Sequence, residues 1–278
     1  MFYKLNENPS YCNLGLESQQ MDERVKRLRS LEPSNAGRTS YLAILETAAG
    51  LFGQFSAKDI TLRDILSISG VSNQTLYNYF PSGRDDIAIA LYDRFQRTIV
   101  ANFNTNIRSI NSKEIQEDSK MIASLSAGLA NAVFGFLKET YCLQCTVFDY
   151  LRSHNLVFIA SHSEELEAAL ARELTLRFGN RFSASELPRI VRVCVHTVRG
   201  MADDAMTNGD FAIDDLESSA RKVLRSLLNT GFQNHDGPSG SHGFQADLYG
   251  PFAVVGAPIS LSRKQGILER ILKRKRNA

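Results

Sequence analysis

An all-α protein follows from three observations on these 278 residues. Apolar residues recur at helical spacing almost without a break from residue 39 to 231. No segment convincingly alternates apolar and polar residues as a half-buried strand does. Helix-stopping residues fall between the periodic runs, at Gly37, Gly70, Pro81-Ser82-Gly83, Gly179 and Asn208-Gly209.

The elements follow in order. Residues 1–20 show no helical or strand period and are expected to be disordered. Residues 21–32 predict a helix with a thin apolar stripe of Val25, Leu28 and Leu31, ringed by Arg24, Lys26, Arg27 and Arg29. Residues 33–37 break it. From Thr39 a second pattern places Ile44, Leu45, Ala48, Leu51 and Phe52 on one face, and residues 53–60 read as a loop. Thr61 can cap the next helix, which carries Leu62, Ile65 and Leu66, with Asp64 placed to complete a capping box. That helix stops near Gly70. Ser72 caps another, with Leu76, Tyr77 and Phe80 facing wholly or partly inward, and Pro81-Ser82-Gly83 ends it.

Helix then follows helix. Ile87, Leu91 and Phe95 form one stripe, and Ile122, Leu125, Leu129, Val133, Phe136 and Leu137 another. Residues 141–160 are apolar nearly all round, as a buried helix is. Ser163 opens the next helix and Gly179 closes it. Ser185 opens another with Pro188 in its first turn, running through Val191, Val195 and Val198 to about Met206. Asp214 and Glu217 suggest a capping box for the last, which carries Leu216, Ala220, Val223, Leu224, Leu227 and Leu228.

Composition excludes several function classes. No run approaches eighteen uninterrupted apolar residues, so no membrane span is expected. The N-terminus lacks a basic segment followed by an apolar one, so a cytoplasmic protein is expected. Cys12, Cys142, Cys145 and Cys194 read as reduced thiols. No cofactor, metal-site or enzyme motif is present, and Cys142-Leu-Gln-Cys145 lacks the partners a zinc site needs. The net charge of +2 is uneven: residues 262–278 carry seven basic residues against Glu269 alone, while the rest of the chain is mildly acidic. That tail suits a polyanion or a solvated end. Residues 232–261, rich in Gly, Pro, Ser and His, read as a linker.

The informative element is the pair of short helices about Gly70. Two helices joined by a glycine-containing turn form a helix-turn-helix candidate, with Val71 plugging the corner. The second presents Ser72, Asn73, Gln74, Thr75, Tyr77, Asn78 and Tyr79 with almost no charge. Amides pair with adenine edges, threonine meets thymine methyls, and hydroxyls bind phosphate.

The run ILETAAGLF…ITLRDILSISGVSNQTLYNYFPSGRDDI resembles the N-terminal domain of the TetR family of bacterial transcriptional regulators, over about residues 38–95. Its most specific part is GVSNQTLYNYFPS followed by an acidic helix start. The resemblance implies a three-helix helix-turn-helix DNA-binding domain at 36–84, after an extension at 1–35. A helical ligand-binding and dimerisation domain follows at 85–231, and a linker and basic tail occupy 232–278. It implies a homodimer on a double-stranded palindromic operator, paired through helices near 185–206 and 214–230. A small-molecule effector would act through the helix near 85–108. By position, Thr61 meets a phosphate, Asn73, Gln74 and Thr75 meet bases, and Tyr77 and Tyr79 meet the backbone or a thymine methyl. Arg84 replaces the usual lysine at a phosphate.

Departures from the family pattern are Ser56 in place of glycine, Leu66 and Ser69 in place of alanines, and Gly83, a one-residue insertion that bears on Arg84. Arg63 projects towards a phosphate or into solvent. The aromatic middle of the chain, with Phe134, Tyr141, Phe148, Tyr150 and Phe158, suggests a pocket for an apolar or amphipathic effector, with His196 nearby, or simply a core. Arg199, Asp203 and Asp204 are expected to be solvated or interfacial. Two readings stay open: a repressor released by an effector, and a DNA-bound activator or interaction protein whose C-terminal domain recruits a protein partner.

Overall fold

The computed structural model describes residues 9–110, 117–154, 156, 163–182, 185–208 and 212–233. Phe158, His162, most of the linker and the basic tail lie outside them. Among the described residues there are nine α-helices and no strand.

Helix α1 spans Pro9–Leu31, twelve residues earlier in its start than the sequence pattern suggests. Proline is well suited to a first helical turn, where no backbone donor is needed. Residues 9–20 carry no clear apolar stripe, so periodicity could not reveal them. Val25 and Leu28 are buried, as expected. Lys26 and Arg27 between them are exposed, but Arg24 and Arg29 on either side are ion-paired. Arg24 Nε lies 2.7 Å from Asp86 Oδ1, and Arg29 reaches Asp93 at 2.6 Å and Glu165 at 2.7 Å. Glu32 pairs with Arg97 at 3.0 Å. These contacts clamp α1 along helix α5 (Arg84–Arg108) and onto α7 (Glu164–Phe178). Asp86 and Asp93 are buried, and such carboxylates require partners of this kind.

The first small core comes from α2 (Arg38–Phe52), α3 (Leu62–Ser69) and α4 (Asn73–Tyr79). Ile44, Leu45, Phe52, Ile65, Leu76 and Phe80 are fully buried. Phe80 stacks on Tyr41 at 5.2 Å. Burial of each such side chain contributes roughly 1.5–3 kcal/mol.

Helix α6, Asp118–Ser153, is the central strut. It packs against α5, α8 (Glu186–Asn208) and α9 (Ile213–Gln233), and also against α2. The apolar runs expected as separate helices form this one element, broken by a kink at Thr140 (φ −135°, ψ 18°). The cause is local. Phe136 O accepts from Thr140 Oγ1 at 2.6 Å and from Gln144 Nε2 at 3.3 Å, so side chains enter the backbone ladder. By length and composition α6 is apolar enough to cross a membrane, with a mean hydropathy of 1.4 over eighteen residues, yet 67% of that window is buried inside the protein. Core helices have this composition too.

Two expected caps differ. Ser163 precedes α7, but its hydroxyl makes no capping bond there. The Asp214 carboxylate pairs with Lys138 and that of Glu217 with Arg221.

Candidate nucleic-acid interface

The helix-turn-helix is set by its caps. Thr61 Oγ1 accepts from Asp64 N at 3.2 Å, and Thr61 N donates to Asp64 Oδ2 at 3.1 Å, completing the capping box. Gly70 takes φ 70°, the left-handed conformation that ends α3 at little steric cost. Ser72 Oγ accepts from Thr75 N at 3.1 Å and starts α4. Val71, half-buried, packs at the corner as expected.

Helix α4 then sorts its residues by spacing. Asn73, Gln74, Tyr77 and Asn78, at i, i+1, i+4 and i+5, share the exposed face. Tyr77 is 44% exposed, an unusual position for so large a ring and so not a core residue. Leu76 and Phe80 fill the opposite face. Thr75 and Tyr79 lie half-buried between. The Thr75 hydroxyl is 2.8 Å from Ser72 Oγ, and that of Thr61 donates to Asp64 Oδ2 at 2.6 Å, so both serve their caps while at the surface. Arg63 is exposed on α3.

Two residues placed by resemblance turn inward. Tyr79 packs edge-on against Tyr41 at 5.6 Å, with its hydroxyl against Gly37. Arg84 does not project from the start of α5. Its guanidinium donates to Tyr150 Oη at 3.1 Å and to the carbonyls of Ala57 and Ile60, and it lies over the Tyr150 ring. Gly83, buried at φ 62°, turns the chain here. The sequence pattern also passed over Arg38 and Lys58. Both are exposed, Arg38 beside the Gly37–Tyr79 contact and Lys58 in the turn before Thr61. Position alone marks them, because neither belongs to a motif.

The expected pocket residues separate. Phe134 and Phe148 are core. Tyr150 is a junction residue: its hydroxyl donates to Asp85 Oδ1 at 2.6 Å and accepts from Arg84, and its ring meets Phe52 and stacks on His154. Burial and the bond to Asp85 raise its pKa to about 12, so it stays protonated and able to donate. Tyr141 Oη donates to Ala205 O at 3.1 Å. His196 sits 3.5 Å from Glu167, and burial lowers its pKa. Arg199 and Asp203 are not solvated as expected but are buried between α5, α7 and α8. Asp204 is exposed. Cys142 is exposed and Cys145 half-buried, with the Cys145 thiol pushed up by burial, the opposite of an activated thiolate.

A capped helix pair offering an uncharged amide and phenol face has the geometry of a helix-turn-helix. Residues 44–91 match the family model described as bacterial regulatory proteins, tetR family. The match covers α3, α4 and parts of α2 and α5. No curated protein matches it. Among solved structures, a TetR transcriptional regulator from Rhodococcus sp. RHA1 is similar at a TM-score of 0.45 and 20% sequence identity, over 69% of this chain and 96% of that one.

Proposed function

We propose that this protein is a DNA-binding transcriptional regulator of the TetR family, a homodimeric repressor that leaves a palindromic operator when a small amphipathic or apolar effector binds its helical domain. The observation that carries the reading is the α4 face of Asn73, Gln74, Tyr77 and Asn78. Non-specific DNA binding relies on cations, whereas these side chains suit base edges and a sugar-phosphate wall. Arg63, Arg38 and Lys58 are exposed on the elements around the helix-turn-helix and are assigned to phosphate contacts in this reading.

Dimerisation is supported by two matched stripes. On α8, half-buried Ile190, Thr197 and Met201 lie at i, i+7 and i+11, and on α9 so do Leu216, Val223 and Leu227. Val223 is 40% exposed. A C2 pair of such faces brings two recognition helices into successive major grooves, about 34–36 Å apart. Effector response is supported by the junction at Arg84. Tyr150 of α6 and the carbonyls before α3 share one guanidinium, so a shift of α6 is felt at α3 and α4.

The test is a binding selection from randomised duplex DNA, followed by fluorescence anisotropy at several salt concentrations. An inverted repeat is expected, with binding lost in Tyr77→Ala while the fold persists. Sequence-blind, steeply salt-dependent binding that survives Tyr77→Ala would overturn the reading.

A further inference from the structure

The helical domain buries a polar cluster. Arg199 of α8 is 4% exposed and Gln96 of α5 is 5% exposed. Arg199 Nη2 donates to Gln96 Oε1 at 2.6 Å, and Nη1 donates to Ser163 Oγ at 2.6 Å. The Ser163 hydroxyl is thereby turned away from capping α7. Tyr92 lies one turn before Gln96 on α5, buried, with its hydroxyl beside Arg199. Asp203 lies one turn beyond Arg199, fully buried. Three helices thus converge on one guanidinium.

Two donors in the cluster have no hydrogen-bond partner: Arg199 Nε and Gln96 Nε2. Buried donors are satisfied in the great majority of cases, and an exception needs an explanation. An unmet donor on a charged group is the costlier kind. Both missing partners are acceptors. Burial pushes the Asp203 carboxyl well above the ordinary carboxylate range, while the Arg199 guanidinium pulls it down. Apolar residues flank the cluster on the same helices: Phe95 and Ile99 on α5, Val195, Val198 and Ala202 on α8.

We propose that Arg199 and Gln96 are the polar anchor of the effector site, and that the effector is a carboxylate on an apolar body. The inference rests on the effector reading above and adds the chemical class. A carboxylate oxygen accepts from Arg199 Nε and Gln96 Nε2 together, while the aliphatic or aromatic remainder lies along α5 and α8. Charge-assisted bonds of this kind are the strong ones.

The experiment is a thermal-shift and calorimetric titration of the full chain with octanoate, decanoate and phenylacetate, each against its own primary amide. Acids are expected to raise Tm and amides to do so far less, since only a ligand binding the native state shifts it. Arg199→Met removes the charge but keeps much of the volume, and is expected to weaken acid binding about ten- to a hundredfold. Arg199→Lys keeps the charge and should retain part of the acid preference. Gln96→Leu supplies an independent test should Arg199→Met fold poorly. Equal shifts from acids and amides, or an acid shift that survives both Arg199→Met and Gln96→Leu, would overturn the anchor while leaving the effector reading intact. No shift from any acid or amide would remove both.

Discussion

The contact between Gly37 and Tyr79 allows a quantitative test of how the DNA-binding domain is held. Gly37 sits at φ 88° just before α2, a conformation that costs an ordinary L-residue about 1–2 kcal/mol. A Cβ there would lie 2.0 Å from Tyr79 Oη and 3.3 Å from Tyr79 Cζ. The first distance is untenable and the second is tight but tolerable. The Tyr79 ring cannot simply swing aside, because Tyr41 is edge-on to it and Phe80 lies beyond. Gly37→Ala therefore adds overpacking of about 1–3 kcal/mol to the backbone strain. The expected loss is about 2–5 kcal/mol, with weaker operator binding as α4 shifts. Tyr79→Phe alone removes the offending atom and should cost less than about 1 kcal/mol. In the double variant the clash is gone and only the backbone strain remains. The two substitutions should couple favourably by about 1–3 kcal/mol in urea unfolding. Strict additivity, or a Gly37→Ala protein as stable as the parent, would refute the reasoning.

Asp86→Ala removes the acceptor shared by Arg24 Nε and Ser82 N and should destabilise by about 2–4 kcal/mol, read as a lowered urea midpoint; an unchanged midpoint would show that α1 is not clamped there. Val223→Asp places a charge in the exposed α9 stripe and should convert the proposed dimer to monomer in sedimentation, with affinity for the proposed operator lost and helicity kept. Asp203 gives a pH signature. Its folded pKa is raised by burial, so any stabilisation it confers is complete below its unfolded value and is lost as pH rises towards the folded value. Stability of Asp203→Asn relative to the parent should increase with pH across that window, by at most about 1.4 kcal/mol per pH unit. A flat difference would mean that the carboxyl does not titrate abnormally.

Local signals were legible and reciprocal ones were not. Thr61 with Asp64, Gly70 and Ser72 announced the helix-turn-helix because capping is decided within four residues. The exposed amides of α4 were readable for the same reason. The packing of Arg84, Tyr79 and Tyr150 was not readable because their partners lie far along the chain, at Tyr150, Gly37 and Asp85. Arg199 and Asp203 looked solvated because burial of a charge depends on three helices meeting, which no stretch of α8 reveals. The junction of the two apolar runs at Thr140 looked like a boundary, since a kink and a loop both interrupt apolar periodicity.

The kink in α6 bears on whether this protein can be taken apart. Residues beyond Thr140 include Tyr150, which meets Phe52, Arg84 and Asp85, whereas Asn131 before it meets Asn106 of α5. The DNA-binding domain is thus completed by a stretch of chain more than fifty residues after its own last helix. A chimaera cut at residue 84, the border expected from the sequence, would leave Arg84 without its phenol and Phe52 without its cover. Grafting these recognition residues onto another scaffold calls for the second half of α6 as well, which no single splice provides. Specificity in this protein is better changed by substitution on the α4 surface than by exchange of domains.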